Sequence, residues 1–365
     1  MAEDKLFTPL TAGGIEMKNR IVMAPLTRNR ARHEDDAPHA LNAEYYAQRA
    51  SGGLIISEAT QISPEGKGYA FTPGIYSDAQ REGWANVVTA VHEAGGKIVA
   101  QLWHVGRVSH TSLQPAGAKP VSASASSAGV QTFDGEKMVD TSEARALETS
   151  EIPRLVADFR HAAQVALQAG FDGVEVHAAN GYLIEQFLRE TSNKRDDDYG
   201  GPVENRARLL FEVLDAVVDV WGADRVGIRL SPFSPANGME LGDAQATYSY
   251  VVQRLNGYSL AYLHAIEGAT GGSRDLPEGM SLAALRTEFD GVWIGNNSYD
   301  RALAIEAVEN GDVDAVAFGR AYIANPDLAE RLEQDAPLNE PNPETFYGGG
   351  AEGYTDYPFL KDSAA

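Results

Sequence analysis

Eight short β-rich runs punctuate the chain, and helical stretches lie between most of them. The runs are "NRIVMAP" (19–25), "LIISEAT" (54–60), "KIVAQLW" (97–103), "GVEVHAA" (173–179), "RVGIRLS" (225–231), "LAYLHAIE" (260–267), "GVWIGNN" (291–297) and "AVAFGR" (315–320). Strands that alternate with helices indicate a parallel sheet, and eight is the number that closes a (β/α)8 barrel. A doubly wound open sheet is the rival reading. It is weakened because no G-x-G-x-x-G follows the first run. The helical stretches carry stop and start signals. Residues 77–95 and 150–170 each begin at a serine, Ser77 and Ser150, that could cap the first turn, and each ends at a glycine. Further helices are expected near 204–221, 244–256, 281–288, 299–310 and 326–334, and a helical pattern follows Gly181. The expected organisation is a single domain over 1–365, interrupted by one long excursion at 104–150. An excursion of that length is expected to be functional or to carry small structure of its own.

Composition narrows the function classes. Net charge is −22, from 52 acidic and 30 basic residues, so neither nucleic acid nor an anionic lipid surface is expected as a partner. The absence of cysteine excludes disulfides, thiolate metal sites and cysteine-held iron–sulfur clusters. No apolar run approaches the ~18 residues of a membrane span. The start "MAEDKLFTPL" lacks the basic and apolar regions of a secretion signal. A cytoplasmic protein acting on small molecules is the expectation, as a monomer in preference to an oligomer.

Side chains alternate along a strand, and this places polar groups on one face. Gln101 and Trp103 share a face of the third run, Glu175 and His177 a face of the fourth, and Arg229 shares one with Gly227 on the fifth. Gln101, His177 and Arg229 therefore fall near the C-terminal ends of successive strands, facing inward, where barrels perform chemistry. Taken singly these residues have bland readings: His177 as a structural histidine, Arg229 in an ion pair with Glu175, and the neighbouring Trp103 as core. Three together point to a site for a flat ligand, polar at one edge. At the eighth strand Gly319 and Arg320 fall where barrels bind phosphate, beside the turn-forming "GNNS" (295–298).

The chain resembles the Old Yellow Enzyme family of flavin-dependent ene-reductases, in particular bacterial members that reduce maleimides, nitrate esters and enones. The resemblance runs from "LFTPL" to "GYTDYP". It rests on "KNRIVMAPLTR" (18–28), "EYYAQRASGGLIISEAT" (44–60), "QLWHVGR" (101–107), "FDGVEVHAANGYLIEQFL" (171–188), "NKRDDDYGGPVENR" (193–206), "RLSP" (229–232), "DAVAFGRAYIANPDL" (314–328) and "FYGGGAEGYTDYP" (346–358). It implies a (β/α)8 barrel, non-covalent FMN, and NADPH or NADH as electron donor, with NADPH favoured by family habit.

Roles follow from the resemblance. Pro25, Leu26 and Thr27 would lie beneath the flavin, with Thr27 bonding its O4. Ala59 and Gln101 would meet the pyrimidine side, Arg229 would lie near N1 and O2, and Gly319, Arg320 and backbone groups of Asn297 and Ser298 would hold the phosphate. His177 and Asn180 would clamp one substrate oxygen, and Tyr182 would protonate the α-carbon. Tyr69, Trp103 and Tyr347 would line the substrate space. "GNNS" departs from relatives, which commonly carry a second glycine there. Related dienoyl-thioester reductases are excluded by the missing cysteines. A flavin-free sugar-phosphate lyase or isomerase and a non-enzymatic flavin-storage barrel are the remaining alternatives.

Overall fold

The computed structural model describes residues 4–364, so the first three residues of the N-terminal segment read above lie outside it. Eight parallel strands close into a barrel in chain order: Ile21–Met23, Leu54–Ile56, Ile98–Trp103, Gly173–Ala178, Val226–Leu230, Tyr262–Ile266, Trp293–Asn296 and Ala315–Phe318. The first strand pairs with the eighth, and every neighbour pair is parallel. All eight fall inside the runs read from the sequence. The second differs in one respect. It ends at Ile56, the Ser57 N–H still donates to the Val99 carbonyl, and Thr60–Gln61 resumes the pairing against Leu102 and Trp103, so Glu58 and Ala59 leave the ladder.

Alternation sorts the strand residues into two cores. Ile98, Ala100, Leu102, Val174, Val176, Ala178, Val226, Ile228 and Leu230 face outward into the large apolar cluster beneath the helices. Burying one such side chain contributes about 1.5–3 kcal/mol. Helices Asp78–Glu93, Ile152–Ala169 and Arg208–Trp221 cover this side of the barrel. Ser77 caps the first of these through a reciprocal box with Gln80. The second is different: Ser150 lies inside a preceding 3-10 turn, Thr149–Glu151, and the α-helix starts with no side-chain cap. Pro153 in its first turn lacks one of the amides a cap would serve. Helix Ala40–Gln48, capped by His39, was not read from the sequence; its apolar periodicity is weak.

The inward cluster at the N-terminal end of the barrel contains Val22, Leu54, Ile56, Val99, Tyr262, Ile294 and Ala315, together with Ala12, Ile15 and Met17. The last three belong to an N-terminal hairpin, Leu10–Ala12 with Ile15–Met17. Gly13 turns that hairpin at φ +57°, and a Cβ there would sit 2.3 Å from the Asp224 carbonyl oxygen, so only glycine fits. The hairpin packs this mouth, and the opposite mouth carries the site. The excursion 104–150 has its own small structure: a parallel pair, Val121–Ser122 with Arg145–Ala146, and a hairpin, Gln131–Phe133 with Met138–Asp140.

Candidate active site

At the C-terminal mouth the inward residues form a polar layer. Gln101 lies beside Glu175, and His177 beside Arg229, in strand register. All four are buried. Gln101 Nε2 donates to Glu175 Oε1 at 2.7 Å, and Glu175 Oε2 faces His264 Nδ1 at 3.0 Å. Arg229 does not pair with Glu175. Its guanidinium donates to Asn296 Oδ1 at 2.8 Å, and Asn296 in turn donates to the Ala317 carbonyl. Burial pushes Arg229 down to about 10, with Glu175 opposing that shift, so it stays charged at neutral pH.

Among the described residues, four polar atoms at this mouth are buried without a hydrogen-bond partner: Arg229 Nε, His177 Nδ1, Trp103 Nε1 and His264 Nε2. Buried polar groups are normally satisfied, so these atoms make the layer a candidate to receive a polar group. Burial lowers His177 well below its ordinary value, and the nearby Arg229 and His264 push the same way; it is a neutral imidazole.

The turn after the fourth strand is held from several sides. Asn180 and Gly181 adopt left-handed conformations, at φ 57° and 71°. The Asn180 N–H donates to Ser231 Oγ at 2.7 Å, and the Gly181 N–H to Glu185 Oε2 at 2.7 Å. Buried Glu185 also binds Arg189, Tyr248 and Ser231. Asn237 Nδ2 donates to the Asn180 carbonyl at 2.8 Å. Tyr182 occupies the N-cap position of helix Leu183–Leu188, yet its side chain makes no capping bond. Its hydroxyl meets that of Tyr69 at 3.2 Å, and its ring stands edge-on to Trp103 and His177, with centroids 5.0 and 5.1 Å away. Burial raises the Tyr182 phenol above its ordinary value.

Beside this cluster opens a cavity of about 1080 Å³, walled by Pro25, Leu26, Thr27, Tyr69, Tyr182 and Phe346, with the exposed Tyr347 at its rim. Ala59 packs with Trp103, Tyr69 and Tyr182. Gly319 reaches the same region, since a Cβ on it would lie 3.6 Å from Leu26 Cδ2. Arg320 follows it, exposed and in no ion pair among the described residues. Asn297 and Ser298 both have positive φ, 115° and 52°. The Asn297 side chain is committed to the loop after the sixth strand, donating to the Glu267 and Ala269 carbonyls and accepting from the Gly271 N–H. The Asn297 backbone carbonyl accepts from Arg274 at 2.8 Å, which leaves the backbone N–H as the group that could meet an anion.

The fold thus gathers the expected residues at one mouth. It adds several that were not named as site residues: Glu175, Asn237, His264, Thr270 and Asn296. Alternation along "LAYLHAIE" and "GVWIGNN" carries the signal for His264 and Asn296. Thr270 sits on an irregular loop and leaves no such trace.

The inward polar layer, its buried unpaired polar atoms and an arginine in no ion pair among the described residues beyond the last strand mark this mouth as the candidate binding site. A family model described as the NADH:flavin oxidoreductase / NADH oxidase family matches residues 5–339. The chain is 47% identical over 363 residues to 12-oxophytodienoate reductase 1 of Oryza sativa subsp. japonica, covering 98% of this chain and 93% of that protein. Among solved structures it is similar to morphinone reductase in complex with tetrahydroNAD, at 51% identity and TM-score 0.92, covering 99% of each chain. The old yellow enzyme homologue of Zymomonas mobilis is 45% identical, with TM-score 0.93, over 97% of this chain and 99% of that one. The chain belongs to the NADH:flavin oxidoreductase / NADH oxidase family, the Old Yellow Enzyme family. It is a flavin oxidoreductase, and its family implies FMN and a nicotinamide donor.

Proposed function

We propose that the protein is an FMN-dependent ene-reductase that reduces alkenes activated by a carbonyl or nitro group, such as enones, maleimides and nitroalkenes, using NADPH or NADH. The observation that carries this reading is the turn after the fourth strand, which sets the His177 ring edge-on to that of the half-buried Tyr182, with Asn180 between them in the chain, at the end of the strand that pairs with those of Gln101 and Arg229. The unsatisfied Arg229 Nε and the Gln101 amide suit the pyrimidine edge of FMN, Thr27 and Ala59 its ring, and Gly319 and Arg320 with the Asn297–Ser298 backbone its phosphate. Bound FMN would take hydride from the nicotinamide and pass it to the β-carbon of the alkene.

The remaining chemistry belongs to this chain. His177 and Asn180 would donate to the substrate oxygen, whose charge grows as hydride arrives; one such donor typically contributes about 2.7–4 kcal/mol to the barrier. Tyr182 would give its proton to the α-carbon. Tyr69, Trp103 and Tyr347 would supply aromatic walls for a flat substrate. The clamp would serve donor and acceptor in turn. The family's description, and the tetrahydroNAD held by morphinone reductase, support NADH as readily as the NADPH expected from the motifs.

The test is the double variant His177→Ala, Asn180→Ala, loaded with FMN. It should lose enone reduction, and its flavin should be reduced more slowly by NADPH and NADH. Retention of wild-type rates in both half-reactions would remove the clamp.

A further inference from the structure

The mechanism leaves Glu175 without a task. It is fully buried in the barrel, one layer beneath His177 on the same strand. A carboxylate in such a place persists only where partners are built around it. Here they are: Gln101 Nε2 on one oxygen at 2.7 Å, and His264 Nδ1 on the other at 3.0 Å. Burial acts against the charged form, but His264, Arg229 and Gln101 outweigh it and hold the carboxyl below its ordinary value. His264 is itself lowered by burial, so it serves as a neutral N–H donor.

Hydrogen bonding alone does not require this charge. A glutamine at 175 could accept from Gln101 and donate to His264, whose other tautomer would accept. What only glutamate supplies is a fixed negative charge. Two groups of the layer would sense it. Gln101 donates its amide N–H to Glu175, so its carbonyl oxygen is the end left for a ligand. Arg229 feels the charge without pairing to it, because its guanidinium is anchored on Asn296.

We propose that Glu175 is a positioning residue that sets the electron affinity of the bound flavin, by fixing the Gln101 amide and by opposing the positive field of Arg229 at the pyrimidine edge. Reduction adds negative charge to that edge, which Arg229 favours and Glu175 resists. The pair thereby keeps FMN reducible by a nicotinamide yet still able to surrender hydride to an alkene. This inference rests on the proposed placement of FMN against Gln101 and Arg229.

The experiment is an anaerobic redox titration of the FMN-loaded protein against reference dyes. Glu175→Gln, which keeps the hydrogen bonds and deletes the charge, should raise the midpoint potential. A tenfold gain in affinity for reduced over oxidised FMN corresponds to about 30 mV for a two-electron couple. Glu175→Asp, which draws the charge back from Gln101, should shift it the same way but less, and it carries the test alone if Glu175→Gln does not load. Arg229→Met should shift the potential down. An unchanged or lowered potential in the loaded Glu175 variants, beside a lowered one in Arg229→Met, overturns the role of Glu175. No shift in Arg229→Met overturns the flavin placement itself.

Discussion

Thr270 Oγ1 lies 2.7 Å from Asn180 Oδ1 and donates to it. Thr270 is in turn held by Ser234, whose Oγ accepts the Thr270 N–H at 3.1 Å and meets its hydroxyl at 2.7 Å. An amide whose oxygen is occupied has its NH2 left to donate, so in the proposed clamp this contact would select the donor end of Asn180. Thr270→Val frees the amide to turn over, and should weaken binding of tetrahydroNAD and slow enone turnover, each by about tenfold, the worth of one hydrogen bond. Thr270→Ser should restore both. In an Asn180→Ala background Thr270→Val should change nothing further; an additive loss there would mean that the threonine acts elsewhere.

Arg320 offers a test of the phosphate end. It is exposed and enters no ion pair among the described residues, so its removal should cost the fold little. Arg320→Ala should weaken FMN binding by roughly 1.5–3 kcal/mol, the range for a hydrogen bond to a charged group. Affinity for riboflavin, which has no phosphate, should not change. Fluorescence titration of the apoprotein with each flavin separates the cases, and equal losses for both would place Arg320 outside the phosphate site.

Acid stability follows from the buried histidines. Burial depresses His177 and His264 in the fold, whereas in the unfolded chain a histidine takes up a proton near pH ~6.5. Between those values the unfolded state binds more protons, so stability rises with pH across the window and falls on acidification. Each group still neutral in the fold removes up to about 1.4 kcal/mol per pH unit below ~6.5. His177→Gln eliminates one such contribution. Urea unfolding at pH 7 and pH 5 should show a smaller loss in the variant than in the wild type, and parallel losses would refute the assignment.

The barrel was legible because its staves repeat one local pattern eight times. The inward register of Gln101, His177 and Arg229 follows from strand alternation alone, as does the outward register of Val226, Ile228 and Leu230. Alternation says which face a residue occupies, not which neighbour it chooses. That is why the Arg229–Glu175 ion pair was a fair reading and is not what forms: Asn296, two strands away around the barrel, takes the guanidinium, while Glu175 takes Gln101 and His264. The Ser150 cap failed for a similar reason, since a competing 3-10 turn captured the serine. Thr270 and the Gly13 hairpin depend on contacts between segments far apart in the chain, to which periodicity is blind.

Tyr182 is the group on which the proposed reaction turns. Its position at the start of helix Leu183–Leu188 would suit a capping role, but the side chain makes no cap and points to Tyr69 instead. Burial holds the phenol above its ordinary value, so it keeps its proton through neutral and mildly alkaline pH. Tyr182→Phe preserves the edge-on contacts with Trp103 and His177 and removes only the acid. Flavin reduction by NADPH or NADH should be nearly unchanged. Reoxidation by cyclohexenone should fall by about 10²–10⁴-fold, the usual contribution of a positioned general acid. Nitroalkenes should suffer less, because the nitronate formed by hydride addition can leave and take its proton from water. Wild-type reoxidation by cyclohexenone in stopped-flow, with FMN fully loaded, would assign the proton to water. Tyr69→Phe separates a second question: the Tyr69 hydroxyl holds the Tyr182 oxygen in place but is not asked to give up a proton. Its loss should therefore slow cyclohexenone reoxidation only modestly, and a loss as large as that of Tyr182→Phe would make the two tyrosines a single proton-delivering unit.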